Sequence, residues 1–457
     1  MKPLESYRRH ARALLVLGLP LIGSHLAQLL IGVTDALMLG WYDVQALAAV
    51  TLAHSVFFVL FIVGSGFAFA VLPMVASAMG EGDETQVRRV TRMGMWLSIL
   101  YGAAVVPMLI WSKPLLLALG QEPGTAVMAQ DYLRIVSVGI VPALLVMVLK
   151  SYLAALERTP AVLWITICAT LINGVADYAL IFGNFGLPEM GLRGAAVASA
   201  SVYGGSLLIM VVYIARVTPE HALFQRFWRP DRDAFGRVLR LGWPIGLTNL
   251  AESGLFAASA LMMGWLGTQT LAAHGIALQI ASLTFVVHLG LSQAATVRIG
   301  HAVGRRDADG LIGGATVAIA LSVTFAVATI LLYLLVPEFL IGLFIDPDDP
   351  ERPAILAIGV LLLAVAALFQ LVDGAQVVCL GLLRGLHDTR VPMIYAAISY
   401  WVIGIPASYV MGFVLGWGGV GVWLGLVVGV AIAATLLLLR FWAQATIRAA
   451  VMPVLQA

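Results

Sequence analysis

Long apolar runs alternate with short polar breaks along the whole chain. A helix needs about 20 apolar residues to cross a bilayer, and twelve runs reach that length. Their approximate bounds are 13–38, 46–73, 90–112, 131–153, 161–182, 192–215, 238–264, 270–297, 312–335, 354–382, 392–414 and 418–441. The runs are continuous and lack the alternating polar and apolar residues of a membrane β-barrel strand. The pattern therefore predicts an all-α protein with twelve transmembrane helices.

Composition supports the same class. Of the 457 residues, 61% are hydrophobic and 11% are charged, and the mean hydropathy is +0.98. Soluble proteins carry about 45–50% apolar and about 25% charged residues. Soluble enzymes and secreted disulfide scaffolds are therefore excluded, and we expect a protein surrounded by membrane lipid. The net charge of +2 gives no sign of a nucleic-acid partner.

Basic residues predict the orientation of the chain. If the twelve runs cross the membrane, 22 of the 26 lysines and arginines fall on the side of the two termini and 4 on the opposite side. Lys and Arg accumulate in cytoplasmic loops. We therefore expect a multi-pass protein of the inner (plasma) membrane with both termini in the cytoplasm. No small-residue cleavage site closes the first run, so we interpret it as a retained span.

The two halves of the sequence resemble each other. A shift of 224 residues aligns Pro20 with Pro244, DALMLGW (35–41) with SALMMGW (259–265), and Asp83 with Asp307. Each half holds six spans, so both halves start on the same side and form parallel repeats. We predict an N-terminal lobe over 1–215, an Arg-rich cytoplasmic linker over 216–237, and a C-terminal lobe over 238–457. Repeated helices around a central cavity are typical of secondary transporters and favour transport over a membrane enzyme.

Four carboxylates lie inside apolar runs: Asp35, Asp177, Glu252 and Asp373. An ionised acid at the centre of a spanning helix costs about 2.5–3.5 kcal/mol on insertion scales. One interpretation is structural, with each acid hydrogen-bonded to a neighbouring Ser, Asn or Tyr. The other is functional, with the acids forming a site for a cation or a proton. Four such residues favour the functional interpretation.

The repeat places these acids unequally. It pairs Glu252 with Gln28 and Asp35 with Ser259. The first helix of each half therefore carries one acid, and the positions of the two acids differ by about two helical turns. This difference suggests two distinct sites. Asp177 follows Asn173 by four residues, so both lie on one face of a helix. Oxygen ligands from Asp35, Asn173 and Asp177 suit Na⁺, whereas desolvated carboxylates could instead carry protons. The sequence leaves both ions open.

Five motifs resemble those of the multidrug and toxic compound extrusion (MATE) family, and the resemblance extends over essentially the whole chain. They are DALMLGW (35–41), PMVASAMGEGD (73–83), NGVADYALIFG (173–183), GLRGAAVAS (191–199) and LLRGLHDTRVP (382–392). The acids Glu252 and Asp373 resemble the NorM branch of that family.

The resemblance implies antiport by alternating access of two lobes. Organic cations and amphipathic drugs would be exported in exchange for Na⁺ or H⁺. The implied coupling site of the N-terminal lobe is Asp35, Asn173, Asp177 and Ser199, where the family usually has Thr at the last position. Glu252 and Asp373 would hold a cation or the substrate in the C-terminal lobe. We assign no tyrosine of this sequence to the site of Glu252 and Asp373. We expect a monomer with no catalytic residue, and no cofactor or metal beyond the coupling ion.

Two alternatives compete with this interpretation. A flippase for lipid-linked precursors, from the same superfamily, would carry more spans and arginines at mid-span. A membrane-embedded transferase would need clustered acids for Mg²⁺–diphosphate chemistry. Its one candidate segment, 346–351, is predicted to lie on the external side. Both alternatives are disfavoured.

Overall fold

The protein folds as a set of long helices. A computed structural model describes residues 3–452, and no strand occurs in that range. The helices of the first half are α1 (Pro3–Tyr42), α2 (Val44–Glu81), α3 (Glu84–Ile110), α4 (Lys113–Ala118), α5 (Pro123–Val136), α6 (Ile140–Ala155), α7 (Thr159–Phe182) and α8 (Leu192–Val217). Those of the second half are α9 (Arg232–Trp265), α10 (Thr268–Arg305), α11 (Ala308–Leu335), α12 (Pro337–Gly342), α13 (Arg352–Gly385), α14 (Arg390–Ala397), α15 (Ile405–Tyr409) and α16 (Gly418–Val451).

These helices confirm the predicted polytopic fold. Eleven helical segments of the described chain are long and apolar enough to span a membrane. One of them joins α5 to α6, and another runs from α14 to Val414 through π-helical turns. The predicted seventh span is α9, which is 34 residues long. Asn249 and Glu252 interrupt its apolar stretch, so it is less apolar than the other eleven.

The internal repeat is visible in the turns between helices. Asp83 caps α3 by accepting from the Gln86 N–H at 3.0 Å, and Asp307 caps α11 by accepting from the Gly310 N–H at 2.8 Å. Such caps satisfy an N–H that has no partner inside the helix. The residues before them, Gly82 and Arg306, both adopt the left-handed conformation. Equivalent residues therefore build equivalent turns in the two halves.

One compact unit, which we call the N unit, spans Gly23–Gly246. Its apolar core lies between α2, α5 and α6 and includes Tyr132 and Leu144, which are fully buried. The second half of α1 and helices α7 and α8 belong to the same unit. This grouping matters because those three helices carry the predicted coupling residues.

The other compact unit, which we call the C unit, contains the described residues up to Ile22 and those from Leu247 onward. Its core lies between α10, α13 and α16 and includes the buried rings of Phe369, Tyr400 and Trp423. Helix α13, which carries Asp373, packs against α10, α11 and α16. Asp373 therefore lies within the helical core of this unit.

The units differ from the predicted lobes at their first helices. The divisions fall two residues after Pro20 in α1 and two residues after Pro244 in α9, so the start of each helix belongs to the other unit. Close glycine contacts explain this exchange. A Cβ on Gly66 of α2 would lie 2.4 Å from the Gly242 carbonyl oxygen, and one on Gly290 of α10 would lie 3.0 Å from the Ile22 nitrogen.

The connection between α8 and α9 is held against the N unit. The Arg92 guanidinium donates to the carbonyl oxygens of Leu223 and Ala222 at 2.7 Å, and the Trp96 indole N–H donates to the Phe227 carbonyl at 2.9 Å. Helix α9 begins at Arg232, inside the range predicted as linker. The connection is therefore shorter than the predicted linker.

Candidate cation and substrate sites

Three helices of the N unit bring the four predicted coupling residues together. Asp35 lies on α1, Asn173 and Asp177 lie one turn apart on α7, and Ser199 lies near the start of α8. At most 5% of each residue is exposed. The structure thus places all four residues in one buried polar cluster, which we call the N cluster.

The Asn173 amide bridges the two carboxylates of the N cluster. Its Nδ2 donates to Asp35 Oδ1 at 2.7 Å and to Asp177 Oδ2 at 2.6 Å. An amide nitrogen has two hydrogens, so it can serve both acceptors at once. The Ser199 hydroxyl donates to Asp35 Oδ2 at 3.2 Å. Asp35 is therefore held by side chains of α7 and α8, and Asp177 by the amide of its own helix.

Two oxygens of the N cluster remain open. Asn173 Oδ1 and Asp177 Oδ1 are buried and accept no hydrogen bond from any residue in the described range. Buried acceptors without a partner are costly, and two buried carboxylates close together repel each other. Binding one positive charge would relieve both penalties. The cluster therefore has the chemistry of a site for Na⁺ or for a shared proton.

His54 and Tyr132 extend the N cluster, and the sequence did not predict that they belong to it. His54 of α2 lies 4.0 Å from Asp35 Oδ2 through its Nε2 atom, which is 2.8 Å from the Tyr132 hydroxyl. The contact of His54 with the Tyr132 hydroxyl is a hydrogen bond between α2 and α5. The contact between His54 and Asp35 was not predicted, because residue spacing relates positions within one helix and these two residues lie on α2 and α1.

A second polar cluster lies in the C unit around the other predicted pair, and we call it the C cluster. Gln376 of α13 donates to Glu252 Oε1 of α9 at 3.2 Å. Asp373 lies three residues before Gln376 and is 2% exposed, and its Oδ1 has no hydrogen-bond partner in the described structure. The two carboxylates are close enough to interact electrostatically. The predicted pair therefore combines a buried Asp373 with a half-buried Glu252.

Two further residues complete the C cluster. Arg384 interacts electrostatically with Glu252, and it donates to Asn249 Oδ1 at 3.2 Å. Tyr400 is fully buried and lies within electrostatic range of both carboxylates. Spacing along the chain could not relate a tyrosine to this site, because Tyr400 lies 27 residues beyond Asp373 on another helix. Only the packing of that helix reveals the contact.

The comparison with known families decides the identity of the fold. The model of the MatE family matches residues 20–179 and again residues 244–410. The chain belongs to the MATE family. The starts of the two matches are 224 residues apart, which is the shift that aligns the halves of the sequence. The family match and the spanning helices together make this chain a multi-pass membrane protein.

Curated MATE relatives cover nearly the full length of the chain. A probable multidrug resistance protein NorM from Agrobacterium fabrum is 48% identical over 438 residues, which are 95% of this chain and 94% of that protein. A probable multidrug resistance protein NorM from a Synechococcus strain is 35% identical over 96% of this chain and 95% of that protein. The resemblance to the NorM branch is thus confirmed.

Solved MATE structures share the fold. A structure described as MATE in the bent conformation superposes with a TM-score of 0.88 at 20% identity and covers 99% of each chain. The outward-facing conformation of a multidrug resistance MATE family transporter superposes with a TM-score of 0.86, also at 20% identity, and covers 98% of this chain and 99% of that one. At this identity the likeness concerns the fold alone.

The described part of this MATE chain offers no site for a transition metal. Within residues 3–452, no three His, Cys, Asp or Glu side chains are grouped so that they could hold a metal ion. The acids of the segment 346–351 accept hydrogen bonds from their own backbone, with Asp346 Oδ1 2.9 Å from the Asp348 nitrogen and Asp349 Oδ1 2.8 Å from the Glu351 nitrogen. These bonds shape the turn before α13.

Proposed function

We propose that this protein exports organic cations and amphipathic drugs in exchange for Na⁺ or H⁺. The proposal combines the family with the chemistry of the two clusters. The NorM relatives are named as probable multidrug resistance proteins. In such a mechanism a ligand shifts the conformational equilibrium only through its different affinities for the two states. Substrate and coupling ion must therefore favour opposite conformations.

The N cluster is the observation that carries this proposal. Two carboxylates, Asp35 and Asp177, share one amide donor and are buried among helices of a membrane protein. They can accept a single positive charge and release it again when their surroundings change. A purely structural role requires no such open capacity, and Asp177 Oδ1 and Asn173 Oδ1 would then be expected to find partners. We therefore assign the coupling ion to the N cluster.

The C cluster is the proposed substrate site for cationic compounds. Glu252 and Asp373 provide two carboxylates, whereas Arg384 interacts electrostatically with Glu252. In a low-dielectric environment a carboxylate attracts an organic cation far more strongly than it does in water. Drugs of varied shape would share this charge attraction without sharing specific hydrogen bonds.

Transport in purified vesicles tests the proposal. The protein is reconstituted into liposomes loaded with a fluorescent organic cation, and a Na⁺ gradient or a pH gradient is imposed separately. We expect one of the two gradients to drive movement of the dye against the direction of the ion. Liposomes without the protein are the control. Dye movement that is independent of both gradients would contradict coupled export.

A further inference from the structure

Lys150 is the unusual basic residue of the N unit. The chain contains three lysines, and Lys150 lies on α6, where its side chain contacts α1. The sequence assigns it to the cytoplasmic end of the fourth predicted span. Lysines near a helix end usually extend their ammonium group toward the membrane surface. In the structure this ammonium group instead reaches α1.

The contact that Lys150 makes leaves its charge unneutralised. Its Nζ lies 3.5 Å from Gln28 Oε1, and among the residues described this neutral amide is its hydrogen-bond partner. An ammonium group carries three donors, and this single long contact uses one of them. Both side chains are partly exposed. The group is therefore a cation with open donors that a ligand can reach.

The position of Gln28 relates this ammonium group to the N cluster. Gln28 and Asp35 are seven residues apart on α1, so they lie on one face about 10 Å apart along the helix. Helix α7 follows the same stretch of α1. Thr166 bonds Ser24 at 3.0 Å, Thr170 donates to the Ala27 carbonyl at 2.9 Å, and Asn173 bonds Asp35. Lys150 thus lies beside a polar seam that leads to the carboxylates.

The repeat shows that the two units differ in the residue that a basic side chain meets on the first helix. Gln28 of the N unit corresponds to Glu252 of the C unit. In the C unit Arg384 interacts electrostatically with the carboxylate of Glu252, whereas in the N unit Lys150 contacts the neutral amide of Gln28. Among the described residues, Lys150 therefore has no carboxylate partner of the kind that Arg384 has.

We infer that Lys150 is an anion subsite, which binds the carboxylate of zwitterionic amphipathic substrates. This inference rests on the proposed function, and it names the residue that recognises the anionic group of substrates that carry both charges. The ammonium group supplies a charge-assisted hydrogen bond, which is stronger than one between neutral groups.

A matched pair of dyes tests this subsite. A rhodamine with a free carboxyl group is a zwitterion, and its methyl ester is a cation of nearly the same shape. Ion-driven export of both dyes is measured in liposomes for the wild type, Lys150→Gln and Lys150→Met. We expect both variants to lower the export of the acid about tenfold relative to the ester, which corresponds to about 1.4 kcal/mol. Lys150→Arg retains the charge and should keep the preference.

Lys113→Gln is the control variant, because Lys113 begins α4 and takes no part in the seam. It should leave the ratio of the two dyes unchanged. Equal losses for acid and ester in both Lys150 variants would make Lys150 a packing residue and overturn the inference, as would no loss for either dye. Wild-type protein that exports neither dye under either gradient would instead overturn the proposed function, and the inference with it.

Discussion

The two units place opposite chemistry at equivalent positions of their first helices. Asp35 of α1 is the acid of the N cluster, whereas its counterpart Ser259 of α9 lies in a neutral group. The Ser259 hydroxyl donates to the Phe256 carbonyl at 2.7 Å and lies 3.5 Å from His274, which accepts from the Trp423 indole N–H at 3.0 Å. The pattern reverses two turns earlier, where the C unit has Glu252 and the N unit has Gln28.

This difference shows how one repeated scaffold can hold two sites with different tasks. In the N cluster, one amide bridges both acids and leaves room for a small cation. In the C cluster, an arginine, a glutamine and a tyrosine surround the acids, and they offer a longer and more varied set of contacts. A compact site suits an ion, and a more varied site suits organic cations.

The largest effect is expected from neutralising the acids of the N cluster. Asp35→Asn and Asp177→Asn should each abolish ion-driven export, because an amide cannot bind and release a cation or a proton in a cycle. The measurement is gradient-driven dye export in liposomes at matched protein density. Asp309→Asn, at an exposed position in the first turn of α11, is the control and should export normally. Normal export by Asp35→Asn would remove that residue from the mechanism.

A more selective effect is expected in the C cluster. Glu252→Gln and Asp373→Asn should reduce export of monovalent cationic drugs by more than about tenfold, because a buried charge attraction is lost. Export of neutral amphipathic drugs should change much less. Competition assays with one drug of each kind measure the selectivity. Equal reductions for both drugs would show that this pair does not recognise the charge of the substrate.

A smaller effect is expected from removing the bridging amide. Asn173→Ala deletes a neutral ligand and two hydrogen bonds but keeps both carboxylates, so coupling should persist with about fivefold weaker apparent affinity for the driving ion. The dependence of export rate on ion concentration measures this affinity. A loss of export as complete as that of Asp35→Asn would mean that Asn173 is indispensable and not an auxiliary ligand.

The smallest effect concerns the connection between α8 and α9. Arg89 donates to Asp231 and lowers the pKa of that carboxyl to about 2, well below its usual range. A lowered pKa stabilises the folded connection above about pH 4, and this stabilisation is lost as the pH falls through about 2. Asp231→Asn should remove it already at neutral pH.

Limited proteolysis of the purified protein checks this change. Because the ion pair is partly exposed, we expect cleavage in residues 218–231 to become about two- to fivefold faster in Asp231→Asn. Asp233→Asn is the matched control, since Asp233 is 71% exposed and lies 3.7 Å from Arg89. Equal cleavage of the two variants would show that the pair with Asp231 does not hold the connection.

The sequence predicted the helices and the acids because both signals are local. Apolar runs have a fixed minimum length in a bilayer, and an acid within such a run is conspicuous. Asn173 and Asp177 were related by their four-residue spacing on one helix. Ser199 came from the family resemblance, and the structure places it beside Asp35.

The rest of each site depends on contacts between distant helices. His54 and Tyr400 come from α2 and from the π-helical stretch after α14, and no local spacing relates them to the acids. The unit boundaries were missed for a similar reason. Pro20 and Pro244 are visible in the sequence, but the packing of Gly66 and Gly290 determines to which unit the start of each helix belongs.

Equilibrium binding to purified variants tests the division of tasks most directly. Dissociation constants of one monovalent cationic ligand and one neutral amphipathic ligand are measured for the wild type, Asp35→Asn, Glu252→Gln and Asp373→Asn. We predict that Glu252→Gln and Asp373→Asn weaken binding of the cationic ligand at least about tenfold more than binding of the neutral ligand. Asp35→Asn should change both affinities by the same factor. Equal losses for both ligands in Glu252→Gln and Asp373→Asn would contradict the account and make the C cluster a second ion site.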